Sequence, residues 1–208
     1  MIDETKNLCD VILSVLTLVG AGIAFGLGLR QSRRSQAWQR AGKFDTFIEK
    51  WRSDELLGLA RVVVDWELLE TRFGGRDLEV CNEDALLALR HHEEVPKRSD
   101  FGEKQATIRD AYDALLAFFH RLELSILTGL IDAEPAKAYF AYWLEHFLRF
   151  DRHPDEGGKI LKGVTPEAKV AAYIEAYGRM DSIERLCRLF GVRPPGGSED
   201  KRAKASAC

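Results

Sequence analysis

The side chains of this sequence that could do chemistry are its histidines, its cysteines and the carboxylates beside them, and their spacing limits what they can build. His120 and Glu123 stand three apart in His120-Arg121-Leu122-Glu123. A di-iron site in a helical bundle needs the reverse order, Glu-x-x-His, on two helices. No Glu of the chain has a His three residues later. The pair offers at most two ligands and reads as a polar edge on an otherwise apolar helix. His91-His92-Glu93-Glu94 is richer in donors, but neighbours on a helix point about 100° apart, so the four do not converge on one ion. That run reads as a solvated face. Glu145-His146 and Asp151-Arg152-His153 gather at a helix end, where a cation complements the helix dipole.

The four cysteines, Cys9, Cys81, Cys187 and Cys208, form no C-x-x-C pair and match no zinc or iron–sulfur spacing. Scattered single cysteines fit a reducing compartment. Cys9 precedes the apolar run and follows bulky Leu8, which excludes a lipoprotein cysteine. Cys187 lies in an apolar helical stretch and is expected to be packed. The chain holds no G-x-x-x-x-G-K-[ST], no G-x-S-x-G and no H-E-x-x-H. The expectation is a protein that is not an enzyme, with no catalytic residue, metal or cofactor. A net charge of −3 shows no basic excess, so no direct nucleic-acid binding is expected.

The elements that position these residues begin with Val11–Leu29, VILSVLTLVGAGIAFGLGL, which carries no charge. As a helix it spans roughly 28 Å, close to the hydrocarbon thickness of a bilayer. A buried core helix rarely lacks a polar stripe over this length. A cleaved signal peptide has a shorter apolar run and basic residues before it; here the preceding residues are acidic. The weak cleavage-like Ser35-Gln36-Ala37 is separated from the run by arginines. The expectation is a transmembrane helix over 11–29, after a short extracytoplasmic N-terminus, 1–10. Arg30, Arg33, Arg34, Arg40 and Lys43 follow it with no acid before Asp45, which orients the N-terminus outward and the domain toward the cytoplasm. Arg30, Arg33, Arg34, Trp38 and Arg40 are the expected contacts to lipid headgroups. Gly22 and Gly26 form a G-x-x-x-G, and Gly20, Ala24 and Gly28 repeat at the same interval. Small residues let helices approach in lipid, so this face predicts a homo-oligomer.

Residues 30–52 hold no proline and one glycine, which predicts a juxtamembrane helical extension. From 53 to 191 the pattern predicts an all-helical bundle. Ser53, Asp54 and Glu55 start a helix carrying Leu56, Leu57, Ala60, Val63, Val64 and Leu68, which Gly74-Gly75 ends. A short helix follows from Asn82 to His92. The strongest runs from Gly102 to Thr128 and stops at Gly129. Asp132 caps the next, with Pro135 in its first turn. Thr165-Pro166-Glu167 opens a last helical region to Gly191, bending near Gly178. Strand signals are scarce, and 192–208 has the composition of a disordered tail. Phe118, Phe119, Tyr139, Tyr142 and Trp143 exceed the needs of one buried stripe. They build either a bulky core or a groove for a partner helix or small ligand.

Two segments carry a family resemblance. One is Phe47-Ile-Glu-Lys-Trp51-Arg-Ser-Asp-Glu-Leu-Leu57 through Arg61, preceded by Trp38. The other is Leu115-Leu-Ala-Phe118-Phe119-His-Arg-Leu-Glu-Leu-Ser-Ile-Leu-Thr-Gly129-Leu-Ile131-Asp132. Together with the N-terminal apolar helix they resemble the bacterial membrane-anchored proteins grouped as domain of unknown function 4760. The likeness covers Trp38 to Phe150 and implies a double-aromatic helix, a Gly-x-Ile-Asp turn and a further aromatic helix holding Trp143. It transfers no catalytic residue. Two functions follow as expectations. One is a membrane-anchored interaction or signalling module, with the lipid bilayer, itself and a protein as partners. The other is a membrane-disrupting effector gated by a ligand such as a small nucleotide signal, as in phage defence.

Overall fold

The computed structural model describes residues 2–65, 69–90, 102–150 and 164–195; for 2–16 and 69 it describes the backbone alone. Helix α1 runs Ile2–Ser53. The chain divides into two compact units, Met1–Lys43 and Phe44–Cys208. The first is helix throughout its described length. No helix among the described residues is long and apolar enough to cross a membrane. The side chains of 11–16, the first part of the span expected over 11–29, lie outside the described residues.

The second unit opens on the last turns of α1 and continues with α2 (Glu55–Asp65), strands β1 (Leu69–Phe73) and β2 (Arg76–Val80), α3 (Asn82–Ala88), α4 (Glu103–Leu127), α5 (Ala133–Arg149), α6 (Pro166–Ala176) and α7 (Met180–Phe190). It is mostly helical, as expected. Asp54 separates α1 from α2, and its Oδ1 accepts the N–H groups of Leu56 (3.0 Å) and Leu57 (3.2 Å), satisfying two donors that the new helix leaves open.

The hairpin corrects the expectation of a helix running on to Gly74-Gly75. α2 ends at Asp65. Leu69 pairs with Val80, Thr71 with Leu78 and Phe73 with Arg76, antiparallel. Gly74 (φ 56°) and Gly75 (φ 79°) form the two-residue turn, whose positive φ angles match the twist of paired strands. Thr71, Phe73, Leu78 and Val80 face the core side, while Glu70, Arg72, Asp77 and Glu79 are exposed.

α4 ends as expected at Gly129. Its N–H donates to the Ile126 carbonyl (3.0 Å) and the Leu130 N–H to that of Ser125 (2.9 Å), the paired bonds that close a helix through a left-handed residue. The same pair recurs at Gly178, where the region expected to bend breaks fully into α6 and α7. Thr165 caps α6, its hydroxyl accepting from the Ala168 N–H at 3.2 Å. Phe118–Phe140 (5.2 Å between ring centres) and Tyr112–Phe147 (6.0 Å) set α4 and α5 antiparallel. Trp51 is fully buried at the centre, 4.9 Å from Phe118, 5.4 Å from Phe140 and 5.7 Å from Trp143. Each such aromatic pair contributes about 0.5–1.5 kcal/mol beyond its buried area.

Candidate functional site

The five aromatic residues proposed for a groove separate into two environments. Phe118 and Phe119 are buried against Trp51 and are core, because the stripe of α4 that holds them faces inward. Tyr139 and Trp143 are half-buried and Tyr142 is 49% exposed on the outer side of α5. They therefore line a surface that Phe118 and Phe119 do not reach.

That surface is tied to its neighbours at each step. Arg52 Nε donates to the Tyr139 hydroxyl at 3.2 Å, and the Arg61 guanidinium lies 5.3 Å from the centre of the Trp51 ring. Tyr142 donates to Asp65 Oδ1 at 2.6 Å, and its ring sits 4.0 Å from that of His146 and 5.2 Å from Trp143. The hydrogen bond to Asp65, with some desolvation and the carboxylate's charge, raises the Tyr142 pKa and keeps its proton in place. Asp45, Ile48, Glu49, Arg52 and Ser53 line a shallow depression joined to it through Arg52. Tyr, Trp and Arg held in fixed positions are the residue types that dominate binding energy at protein interfaces.

His120 and Glu123, singled out for possible metal chemistry, form a cluster with α7. Glu123 is fully buried. Its Oε1 accepts from Arg185 Nε at 2.6 Å and its Oε2 from the Ser182 hydroxyl at 3.1 Å. His120 Nδ1 lies 2.9 Å from Ser182 Oγ and 3.9 Å from Glu123 Oε2. Ser, His and Glu together invite comparison with a hydrolase triad. There the carboxylate binds the imidazole and the serine faces the substrate. Here the carboxylate binds the serine, which is buried, so the order is wrong for a nucleophile and right for a cross-link between α4 and α7. Burial and the Arg179 charge lower the His120 pKa against the opposing pull of Glu123.

Arg109 is a second buried charge. Nη1 donates to the carbonyls of Ala88 (2.7 Å) and Arg90 (2.6 Å) at the end of α3, and Nη2 to the Tyr177 hydroxyl. The Tyr173 and Tyr177 rings lie 4.5 Å and 5.0 Å from the guanidinium carbon. Tyr173 in turn donates to Asp113, and its burial raises the phenol pKa well above the ordinary value. Sequence reasoning missed this cluster. The signal was present: Arg109 sits beside Ile108 on the stripe that continues to Tyr112 and Leu116, a poor place for a cation without partners.

Cys187 is buried and its thiol is pushed up to about 12, leaving it inert. His91-His92-Glu93-Glu94 and Asp151-Arg152-His153 lie outside the described residues. Among the described residues, no three His, Cys, Asp or Glu side chains are grouped to hold a metal ion.

In the first unit, Leu18, Ile23, Phe25 and Leu27 are exposed, Leu18 by 79% and Phe25 by 69%. A methyl added at Gly20, Gly22, Gly26 or Gly28 meets nothing within 4 Å. Ala24, Arg30, Arg33, Arg34 and Trp38 are exposed as well, and Arg40 is half-buried. The chain matches no protein-family profile, no curated protein and no solved structure, so the resemblance over Trp38 to Phe150 gains no support from them.

Proposed function

We propose that this chain is a membrane-anchored, non-enzymatic interaction module. Residues 11–29 cross the bilayer with the N-terminus outside, and Arg30, Arg33, Arg34, Trp38 and Arg40 meet the cytoplasmic headgroups. Gly20, Gly22, Ala24, Gly26 and Gly28 pair copies of the helix, and the second unit offers the Tyr139–Tyr142–Trp143 face to a protein partner. One observation carries this reading: Leu18, Val19, Ile23, Phe25, Leu27 and Leu29 stand exposed on one helix with no charged residue among them. Burying one such side chain is worth about 1.5–3 kcal/mol, so six together drive burial by on the order of 10 kcal/mol. A lipid phase supplies that cover.

Extraction tests it. The full-length protein is expected to stay with membranes at alkaline pH and leave them only in detergent. Light scattering in mild detergent is expected to give a defined oligomer, and a chain lacking residues 1–36 a monomer. Release by alkali alone would remove the anchor from the reading, and a full-length monomer would remove the pairing.

A second reading is favoured by the helicity of α1 from Ile2 to Ser53, which puts the apolar stretch and the core residue Trp51 on one helix. A ligand on the second unit would then gate membrane disruption. Expression toxicity abolished by Gly22→Ile with Gly26→Ile supports it; unchanged membrane potential with every nucleotide tested counts against it.

A further inference from the structure

Four exposed leucines lie together at one end of the second unit. Leu124 and Leu127 are on the last turns of α4, Leu130 follows its stop, and Leu189 is on the last turn of α7. The α4–α7 register brings them together. His120 meets Ser182 and Glu123 meets Arg185, so the helices run in the same direction with a constant offset, which sets Leu127 beside Leu189. α5 starts at this end, since it is antiparallel to α4, and Lys137 Nζ lies 3.7 Å from a methyl placed on Gly191, just past α7.

The chain also enters the unit here. The Phe44 ring packs on Tyr139 (6.5 Å) and Phe140 (6.2 Å) in the second turn of α5, while Trp51, further along α1, reaches Trp143. α1 therefore runs parallel to α5 and enters beside α5's beginning. The hairpin tip is at the other end, where Arg76 pairs with Glu103 at the start of α4 (2.7 Å).

The charges bordering the leucines are mostly cationic. Arg121 is one turn before Leu124, Arg188 adjoins Leu189 and Arg193 follows α7, all exposed; Asp132 and Glu134 are the exposed acids at the start of α5. Leucines bordered by three exposed arginines against two acids suit a surface that is apolar beneath and anionic on top. The entry point is covalently continuous with the arginine-rich 30–43 segment, which keeps such a surface at high local concentration.

We propose that Leu124, Leu127, Leu130 and Leu189 form a docking face for an anionic lipid surface, pressed on the same bilayer that holds α1. The proposal rests on the membrane-anchored reading for its location, not for its chemistry.

The test uses the full-length chain in phosphatidylcholine–phosphatidylglycerol vesicles, with Cys9, Cys81 and Cys208 replaced by Ser and Cys187 by Ala. An environment-sensitive nitrobenzoxadiazole dye is placed at Leu127→Cys, at Leu124→Cys as a second position, and at Asp77→Cys as a control near the hairpin tip. Dye at 124 and 127 is expected to shift to the blue and to be quenched several-fold by lipids carrying nitroxide on the upper acyl chain; dye at 77 is not. Arg188→Glu is expected to weaken the quenching, as is omission of phosphatidylglycerol. Alkaline extraction of the same samples separates the two ideas. Unquenched dye on an extraction-resistant chain overturns the docking face and leaves the anchor standing. Quenching on a chain that alkali releases keeps the docking face and removes the anchor. A blue shift without lipid quenching, with mass rising with concentration, assigns the face to a second copy and overturns the proposal.

Discussion

One helix, α1, carries two kinds of apolar surface. Before Phe44, Leu18, Ile23, Phe25, Leu27 and Leu29 are exposed and a methyl added at Gly20, Gly22, Gly26 or Gly28 meets nothing within 4 Å; after Phe44 the same helix buries Trp51 completely. The residue types differ accordingly. The first stretch is mostly aliphatic and glycine-rich, residue types that suit lipid chains or a copy of the same helix. The second carries Phe44, Phe47 and Trp51, whose rings fit against Phe118, Phe119, Phe140 and Trp143. Aliphatic cover can come from lipid chains, whereas aromatic pairing of this kind needs fixed partners. The lesson is that apolar content alone does not say which residues form the core.

The sharpest way to break this comparison is to truncate one side chain on each side of Phe44. Trp51→Ala is expected to destabilise the second unit by about 3–5 kcal/mol, the usual cost of removing a large buried aromatic. Phe25→Ala is expected to leave that unit's denaturant midpoint where it was. Denaturation of both variants in detergent, followed by near-ultraviolet circular dichroism, checks the pair. A midpoint that moves equally for both would mean that the two stretches share one core.

Next in size is a contrast between the two buried charges. Arg109→Met leaves the Ala88 and Arg90 carbonyls without their cation at the end of α3, and each abandoned buried acceptor costs about 1–3 kcal/mol. Glu123→Gln keeps the shape and an acceptor oxygen, and Arg185, being partly exposed, can return to water; a loss nearer the lower end of that range is expected. Equal losses would show that Arg185 gains more from Glu123 than its exposure suggests. Urea midpoints of the two variants decide it.

The helices of the second unit were largely legible, because their ends carry local chemistry: Asp54 and Thr165 at starts, Gly129 and Gly178 at stops. The hairpin was also written in local terms. Leu69-Glu-Thr-Arg-Phe73 and Arg76-Asp-Leu-Glu-Val80 alternate, and Gly74-Gly75 is a two-residue turn that permits positive φ. The competing signal is also local: the apolar stripe of α2 continues in sequence to Leu68, and Gly74-Gly75 fits a helix stop as well as a hairpin turn. Replacing Gly74 and Gly75 together by Ala forces a side chain into the left-handed region twice, at about 1–2 kcal/mol each. If the hairpin is coupled to the core through Val80, the midpoint falls by that amount; if it frays alone, hydrogen exchange rises only at 69–80. What the sequence left hidden is the pairing across α4 and α7. Glu123 lies on the buried side of its helix, but nothing local says that Ser182 and Arg185, about sixty residues away, arrive to satisfy it.

The smallest effect tests that pairing through its one histidine. With the Ser182 hydroxyl donating to Glu123, Ser182 Oγ accepts from His120 Nδ1–H, so neutral imidazole already satisfies the cross-link. Burial and Arg179 disfavour a second proton, and the His120 pKa in the folded state lies below the ordinary value of 6.5. The unfolded chain then binds more protons than the folded one as pH falls through 6.5, so stability from this site is full above that pH and declines below it. His120→Gln can still donate to Ser182 but does not titrate. It is therefore expected to flatten the part of the stability–pH curve between neutrality and the carboxylate range while changing the neutral midpoint little. Urea midpoints taken across that range for both proteins measure it. A wild-type curve that rises as pH falls through 6.5, and loses that rise in the variant, would mean that Glu123 outweighs burial and Arg179 and that the cross-link tightens on protonation.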